Sequence, residues 1–320
     1  MATAEQVKSL IRCHFSEEPE RFYTIALQVA AHEARQGHSS LAHELRQMVD
    51  RAREKRSSRN VLSLPKELSG LILSENPDRS FHSLVVKEEL KDRIDRIILE
   101  FKQQAKLKKH GLSHRRKILL SGLPGTGKTM TAQVLASELK QPLQIIQMDR
   151  LVTKFMGETS AKLRQIFDFI SQHRGVYLFD EFDAIGGERD LGNDVGEMRR
   201  VLNSFLQFIE SETSDNLIVA ATNNLRLLDR ALFRRFDDVL YYDLPDQKGC
   251  EKLIANLLGT FRTKRFPLEK AAAESKGLSH SEIDHACRDA IKLAILNNKS
   301  RTTYESFRQL IKERRAAYRE

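Results

Sequence analysis

Gly122-Leu123-Pro124-Gly125-Thr126-Gly127-Lys128-Thr129 fits the pattern G-x-x-x-x-G-K-[ST]. The apolar run KILLS, 117–121, leads into it, and a helical pattern begins near Lys128. A Gly-rich turn at a helix N-terminus aims backbone N–H groups at phosphate oxygens. Residues 122–130, through Met130, are therefore a candidate phosphate cradle. Lys128 would reach the β- and γ-phosphates, and the Thr129 hydroxyl would hold Mg²⁺.

A second set of residues supplies the complementary chemistry. Asp180 ends the run VYLFD, where a carboxylate can join Thr129 around Mg²⁺. Glu181 follows it and could orient or deprotonate water attacking the γ-phosphate. Asn223 closes LIVAAT, 217–222, and would help position that water if the two strands are neighbours; capping a turn is the other reading.

Further along, LLDRALFRRFDD places Arg234 and Arg235 side by side. Arginine supplied by a neighbouring subunit neutralises charge in phosphoryl transfer. An ordinary surface pair with Asp237 or Asp238 is the alternative. In LVTKFMGETS, Phe155 and Met156 form an apolar pair in what reads as a loop before a helix near Ser160. Exposing such a pair needs a reason.

These residues must be positioned by alternating strands and helices. KILLS, LQIIQM (143–148), VYLFD (176–180), LIVAAT and DVLYY (238–242) are short apolar runs, as expected of strands buried on both faces. Helical patterns lie between them near 128–139, 160–172 and 196–210. The fold class is α/β: a parallel five-stranded sheet with flanking helices over 81–245. Residues 246–320 read as a helical lid, and another helix runs from about Lys87 to Lys109. Residues 1–56 read as a small helical module, either a docking unit or an extension packed on the main domain. Its apolar stripes are Phe22, Ile25, Ala26, Val29 and Ala30, then Leu41, Leu45, Met48 and Val49. The basic, Ser-containing stretch 57–80 reads as a linker.

Composition sets the outer bounds. The 320 residues are 40% hydrophobic and 30% charged, as in globular proteins. No run approaches the ~20 apolar residues of a membrane span, and the N-terminus shows no apolar leader. Cys13, Cys250 and Cys287 are widely spaced, which argues against a disulfide framework and for a reducing, cytoplasmic setting. The formal net charge of +9 allows nucleic acid or an acidic partner without requiring either. The basic stretch 101–117 lacks interleaved aromatics and reads as a solvated face. His110 and His114 have no third ligand nearby, so no metal site is expected there.

The order GLPGTGKT, KFMGE, LFDEFDAIG, AATNN, LDRALFRRFD resembles the AAA ATPase domain, over roughly residues 80–300. It is closest in pattern to the branch of katanin, spastin and the membrane-anchored bacterial AAA protease. The resemblance implies an ATP hydrolase with Mg²⁺, assembled with itself as a ring, usually a hexamer. Arg234 and Arg235 then match arginine fingers acting in trans, and Asn223 matches a γ-phosphate sensor. Lys154, Phe155 and Met156 match a central-pore loop that grips a protein substrate, while a helix staple remains the local alternative for Phe155. Residues 186–196 match a second pore loop.

KGLSHSEID, 276–284, resembles the segment that opens a lid helix and touches the nucleotide, with Gly277 carried over from it. Here His280, Ser281 and Glu282 replace Gly, Ala and Asp, while Ser279 and Glu282 spell a capping box. FLQFIESETSD lacks the usual acidic-Gly-hydrophobic signalling element, and no lid arginine is evident at the usual second-sensor position, as is also true of that branch. The whole sequence also resembles bacterial AAA ATPases encoded beside subtilisin-like proteases, with suspected defence roles. The implied activity is ATP-driven protein remodelling or unfolding, with a partner protease in trans. The alternatives are a DNA-associated loader, disfavoured by Phe155 and Met156 at the pore position, and a nucleotide-switched scaffold.

Overall fold

The computed structural model describes residues 8, 19–57, 65, 67–154, 158–185, 194–224 and 230–316. The chain forms two compact units, Met1–Val61 and Leu62–Glu320. The first is a helical hairpin, α1 (Pro19–Arg35) and α2 (Ser39–Ser57). Gly37, at φ 86°, ends α1 in the left-handed conformation that glycine tolerates. Tyr23, Val29, Ala30, Ala42 and Val49 are buried. The expected stripe on α2 is rotated, because Leu41 and Met48 are exposed. Two helices alone can cover only one narrow seam.

The second unit begins with β1 (Ile72–Glu75) and continues through α3 (Glu88–Lys102) and α4 (Gln104–Lys109). Then come β2 (Lys117–Gly122), α5 (Lys128–Leu139), β3 (Leu143–Gln147), α6 (Met148–Lys154) and α7 (Thr159–Gln172). β4 (Val176–Asp180), α8 (Asp194–Ser211), β5 (Leu217–Thr222), α9 (Arg230–Phe233) and β6 (Asp238–Tyr242) complete the sheet layer. The remainder is helical: α10 (Gln247–Leu258), α11 (Leu268–Ser275), α12 (His280–Leu296) and α13 (Tyr304–Ala316).

The sheet order is β1-β3-β4-β5-β2-β6. β2 through β6 pair in parallel, matching the five strands expected. The sheet is nevertheless six-stranded and mixed, because β1 pairs antiparallel with β3 at one edge. β1 comes from the stretch expected to be linker. Leu68, Leu71 and Ile72 are buried in the sheet core, so the expected linker over 57–80 does not hold for its second half.

Strand burial alternates between two cores. Leu119, Ile146, Phe179 and Ala220 face the α7–α8 side, whereas Leu120, Ile145, Leu178 and Val219 face the α3–α5 side. Period-two alternation with both faces covered produces the continuous apolar runs. Phe167, Phe179, Phe182 and Phe205 form one aromatic cluster, with ring centroids 4.6–5.7 Å apart. A third core, with Leu253, Ile254, Ile283, Cys287 and Phe307, holds the lid helices together and includes Val85 from the segment before α3.

Candidate active site

Three parallel strands bring the predicted chemistry together at their C-terminal ends, where α/β sheets bind ligands. β2 runs into the Gly-rich loop, β4 ends at Asp180, and β5, between them, leads to Asn223. Gly122 is tight against β6: a Cβ there would lie 2.2 Å from the Tyr242 carbonyl oxygen. Inside the loop, the Thr126 hydroxyl donates to the Leu123 carbonyl at 2.7 Å. Gly127 caps α5 at φ 102° and leaves that helix's first N–H groups facing the cavity.

Lys128 is buried. Its Nζ donates to the carbonyls of Gly122 (2.8 Å) and Leu123 (3.0 Å) and to Asn223 Oδ1 (2.8 Å). Burial pulls its pKa down, while Asp180 and Asp183 pull the other way. The Thr129 hydroxyl donates to Asp180 Oδ2 at 3.1 Å. Glu181 sits at φ 54°, a left-handed conformation unusual for a residue with a Cβ. Partial burial, then the carboxylates of Asp149, Asp180 and Asp183, push its pKa up. The Asn223 backbone N–H donates to Asp183 Oδ1 at 3.0 Å, so Asn223 is tied at both ends.

A cavity of about 600 Å³ runs from this loop to the lid. Pro124 through Met130, Asp180, Glu181 and Asn223 line its polar end. Leu84, Val85, Leu253 and Leu257 give the far end an apolar wall. Phosphates suit the first end and a flat base suits the second.

The lid closes directly on the loop. Ser279 and Glu282 form the expected capping box at the start of α12. The Ser281 N–H donates to the Gly125 carbonyl at 3.0 Å. Gly125 is at φ 72°, and a Cβ there would meet Ser279 Oγ at 2.8 Å and Ser281 Cβ at 2.9 Å. Gly277, by contrast, is absent from the cavity wall; it makes the left-handed turn between α11 and α12. His280, Ser281, Asp284 and Arg288 take that place.

The sequence showed no lid arginine at the usual second-sensor position, yet Arg288 of α12 lines the cavity. It donates to Asp284 Oδ2 at 2.6 Å across one helical turn, on the cavity wall. Residues 281, 284 and 288 share one helix face.

Lys154 ends α6, which replaces the loop expected there; Phe155 and Met156 lie outside the described residues. So do 186–193 of the second expected loop. Arg234 and Arg235 lie at the other end of the sheet. They precede β6, where the Asp237 N–H donates to the Lys117 carbonyl (2.7 Å) at the start of β2.

A family model described as "ATPase family associated with various cellular activities (AAA)" matches residues 118–244. An uncharacterized AAA family ATPase of Sinorhizobium fredii is 30% identical over 98% of this chain and 96% of its own length. The chain belongs to the AAA ATPase family.

This AAA ATPase is also similar to the ATP-dependent zinc metalloprotease FtsH of Aquifex aeolicus, 30% identical over 77% of this chain and 40% of the relative. A proteasome-activating nucleotidase of Methanoregula boonei is 29% identical over 78% of this chain and 60% of the relative. The chain thus spans nearly all of the first relative and about half of the other two. The family assignment makes it an ATP hydrolase.

The residues present fit Mg²⁺. Thr129 and Asp180 offer hard oxygen donors in mutual contact, and no group of three or more His, Cys, Asp or Glu ligands occurs among the described residues. A sparse oxygen site suits an ion that takes its other ligands from phosphate and water. None of the described helices is long and apolar enough to cross a membrane.

Proposed function

We propose that this AAA ATPase acts as a homo-oligomeric ring, a hexamer, that unfolds or remodels protein substrates. Residues 122–130 cradle the triphosphate, and Lys128 leaves its loop carbonyls to bind the β- and γ-oxygens. Thr129 and Asp180 would hold Mg²⁺, which neutralises charge on those phosphates when bound. Glu181 orients the attacking water and accepts its proton; its raised pKa makes it a stronger base than an ordinary carboxylate. Asn223, held by Asp183, supports the water or the γ-phosphate. Lid residues Asn256, Ser281, Asp284 and Arg288 enclose the nucleoside.

The position of the arginine pair carries the ring assignment. Arg234 and Arg235 stand beyond one end of β2, and Lys128 stands beyond the other. Six strand residues separate them by on the order of 20 Å. They cannot serve their own phosphates, so they complete a neighbour's site.

The names of the FtsH and proteasome-activating relatives support protein as the substrate. We place Lys154, Phe155 and Met156 at the pore, where an aromatic ring grips many sequences without discrimination. Peptide-bond cleavage belongs to a partner protease in trans, in the cytoplasm, with bacterial defence as the proposed setting.

Two variants test this. Glu181→Gln should bind ATP, assemble stably and lose hydrolysis. Phe155→Ala should keep ATPase activity and lose unfolding of a fluorescent protein substrate. Stimulation by DNA with no effect of unfolded protein would overturn the assignment.

A further inference from the structure

Arg234 and Arg235 are neighbours in sequence but not equivalent in space. Arg235 Nη1 donates to Glu210 Oε1 at 2.6 Å. Glu210 lies in the last turn of α8, and its backbone carbonyl receives Lys117 Nζ at 3.5 Å. Arg234 is exposed and makes no hydrogen bond or ion pair among the described residues.

The turn beneath the pair is anchored independently. Phe236 is buried in the sheet core. The Asp237 carboxylate accepts from the N–H groups of Arg116 (2.8 Å) and Lys117 (2.9 Å). One guanidinium is therefore committed within its own subunit, and the other projects uncommitted from a fixed turn.

We infer that the two arginines divide the work: Arg234 is the catalytic residue that reaches the neighbour's γ-phosphate, and Arg235, held by Glu210, is a positioning residue. This rests on the trans-arginine assignment above. An exposed ion pair contributes little to stability, so its use here is orientation. The single charge-assisted bond holds the Arg235 guanidinium to its own subunit and leaves Arg234 as the one free to reach across. Directing the Arg234 guanidinium before encounter lowers the cost of reaching its place in the transition state.

Steady-state ATPase assays on the assembled full-length protein separate the roles. Light scattering and fluorescent-nucleotide titration, run alongside, check that each variant assembles and binds nucleotide. Arg234→Ala should lower kcat by about a thousandfold or more, the scale of a lost arginine finger. Arg235→Ala and Glu210→Gln should each cost about tenfold, the scale of one charge-assisted bond, and the double variant should be no worse than either alone.

The charge swap Glu210→Arg/Arg235→Glu decides most sharply. It should regain activity above Arg235→Ala, because it restores the pair while leaving no arginine at 235. A swap as inactive as Arg234→Ala, or losses at 210 and 235 that simply add, would overturn the division. Full activity in both Arg234→Ala and Arg235→Ala would instead remove the trans-arginine assignment itself, and this division with it.

Discussion

Glu181 shows how little space separates a strand end from a proposed catalytic base. Asp180 finishes β4 facing Thr129, and one left-handed residue later Glu181 points elsewhere. In the proposed mechanism that single φ divides the two carboxylates between metal shell and water. Because burial and three neighbouring acids raise the Glu181 pKa, its ionised form is lost earlier as pH falls. The acid limb of kcat should therefore lie above the usual 4.5 of a glutamate. Removing one facing charge with Asp149→Asn should move that limb down. Sequence made this pair legible because strand end, acid and acid are a local pattern. Arg288 was not legible, because only the fold shows which face of α12 lines the cavity.

Among the elements, β2 to β6 and their helices were readable because both sheet faces are covered and every strand residue pair pays into one of two cores. β1 escaped for the opposite reason. Only Ile72 of its four residues is buried, and Ser74, an exposed position, hydrogen-bonds Gln144 across the edge. A four-residue edge strand carries almost no periodic signal.

The segment between α4 and β2 carries a buried histidine that composition hid. His114 packs edge-on against Phe101 with centroids 5.4 Å apart, and neither ring nitrogen has a partner. Burial lowers its pKa below the usual 6.5. Its neutral form contributes stability fully above that value, and the contribution is lost as pH falls from 6.5 toward the lowered one. The melting temperature should drop between pH 7.5 and 5.5, and His114→Leu should flatten part of that slope. The basic neighbour α4 is exposed as expected, with Lys108 paired to Asp215 at 2.7 Å.

In the proposed ring, one protomer would supply the phosphate loop and the next the arginines. Mixing Glu181→Gln with Arg234→Ala should then restore hydrolysis that neither protein has alone: an intact catalytic site from one can meet an intact arginine from the other. Absence of any recovery across mixing ratios, with mixed rings confirmed by differential labelling, would contradict shared sites. The phosphate loop and the arginine pair were both legible as motifs; their placement beyond opposite ends of β2 needed the fold.

The meeting of Gly125 with the lid has a consequence for timing. Ser281 is bonded to that glycine's carbonyl, and the glycine's missing side chain is the clearance the lid occupies. In the proposed mechanism spent nucleotide would lie beneath this join, and ADP would depart only when the join breathes. Gly125→Ala would wedge the door ajar at a backbone angle alanine resists, and ADP should escape faster in stopped-flow chasing even though ATP is held more loosely. Release of the spent nucleotide would then be timed where a helix rests on a hydrogen atom.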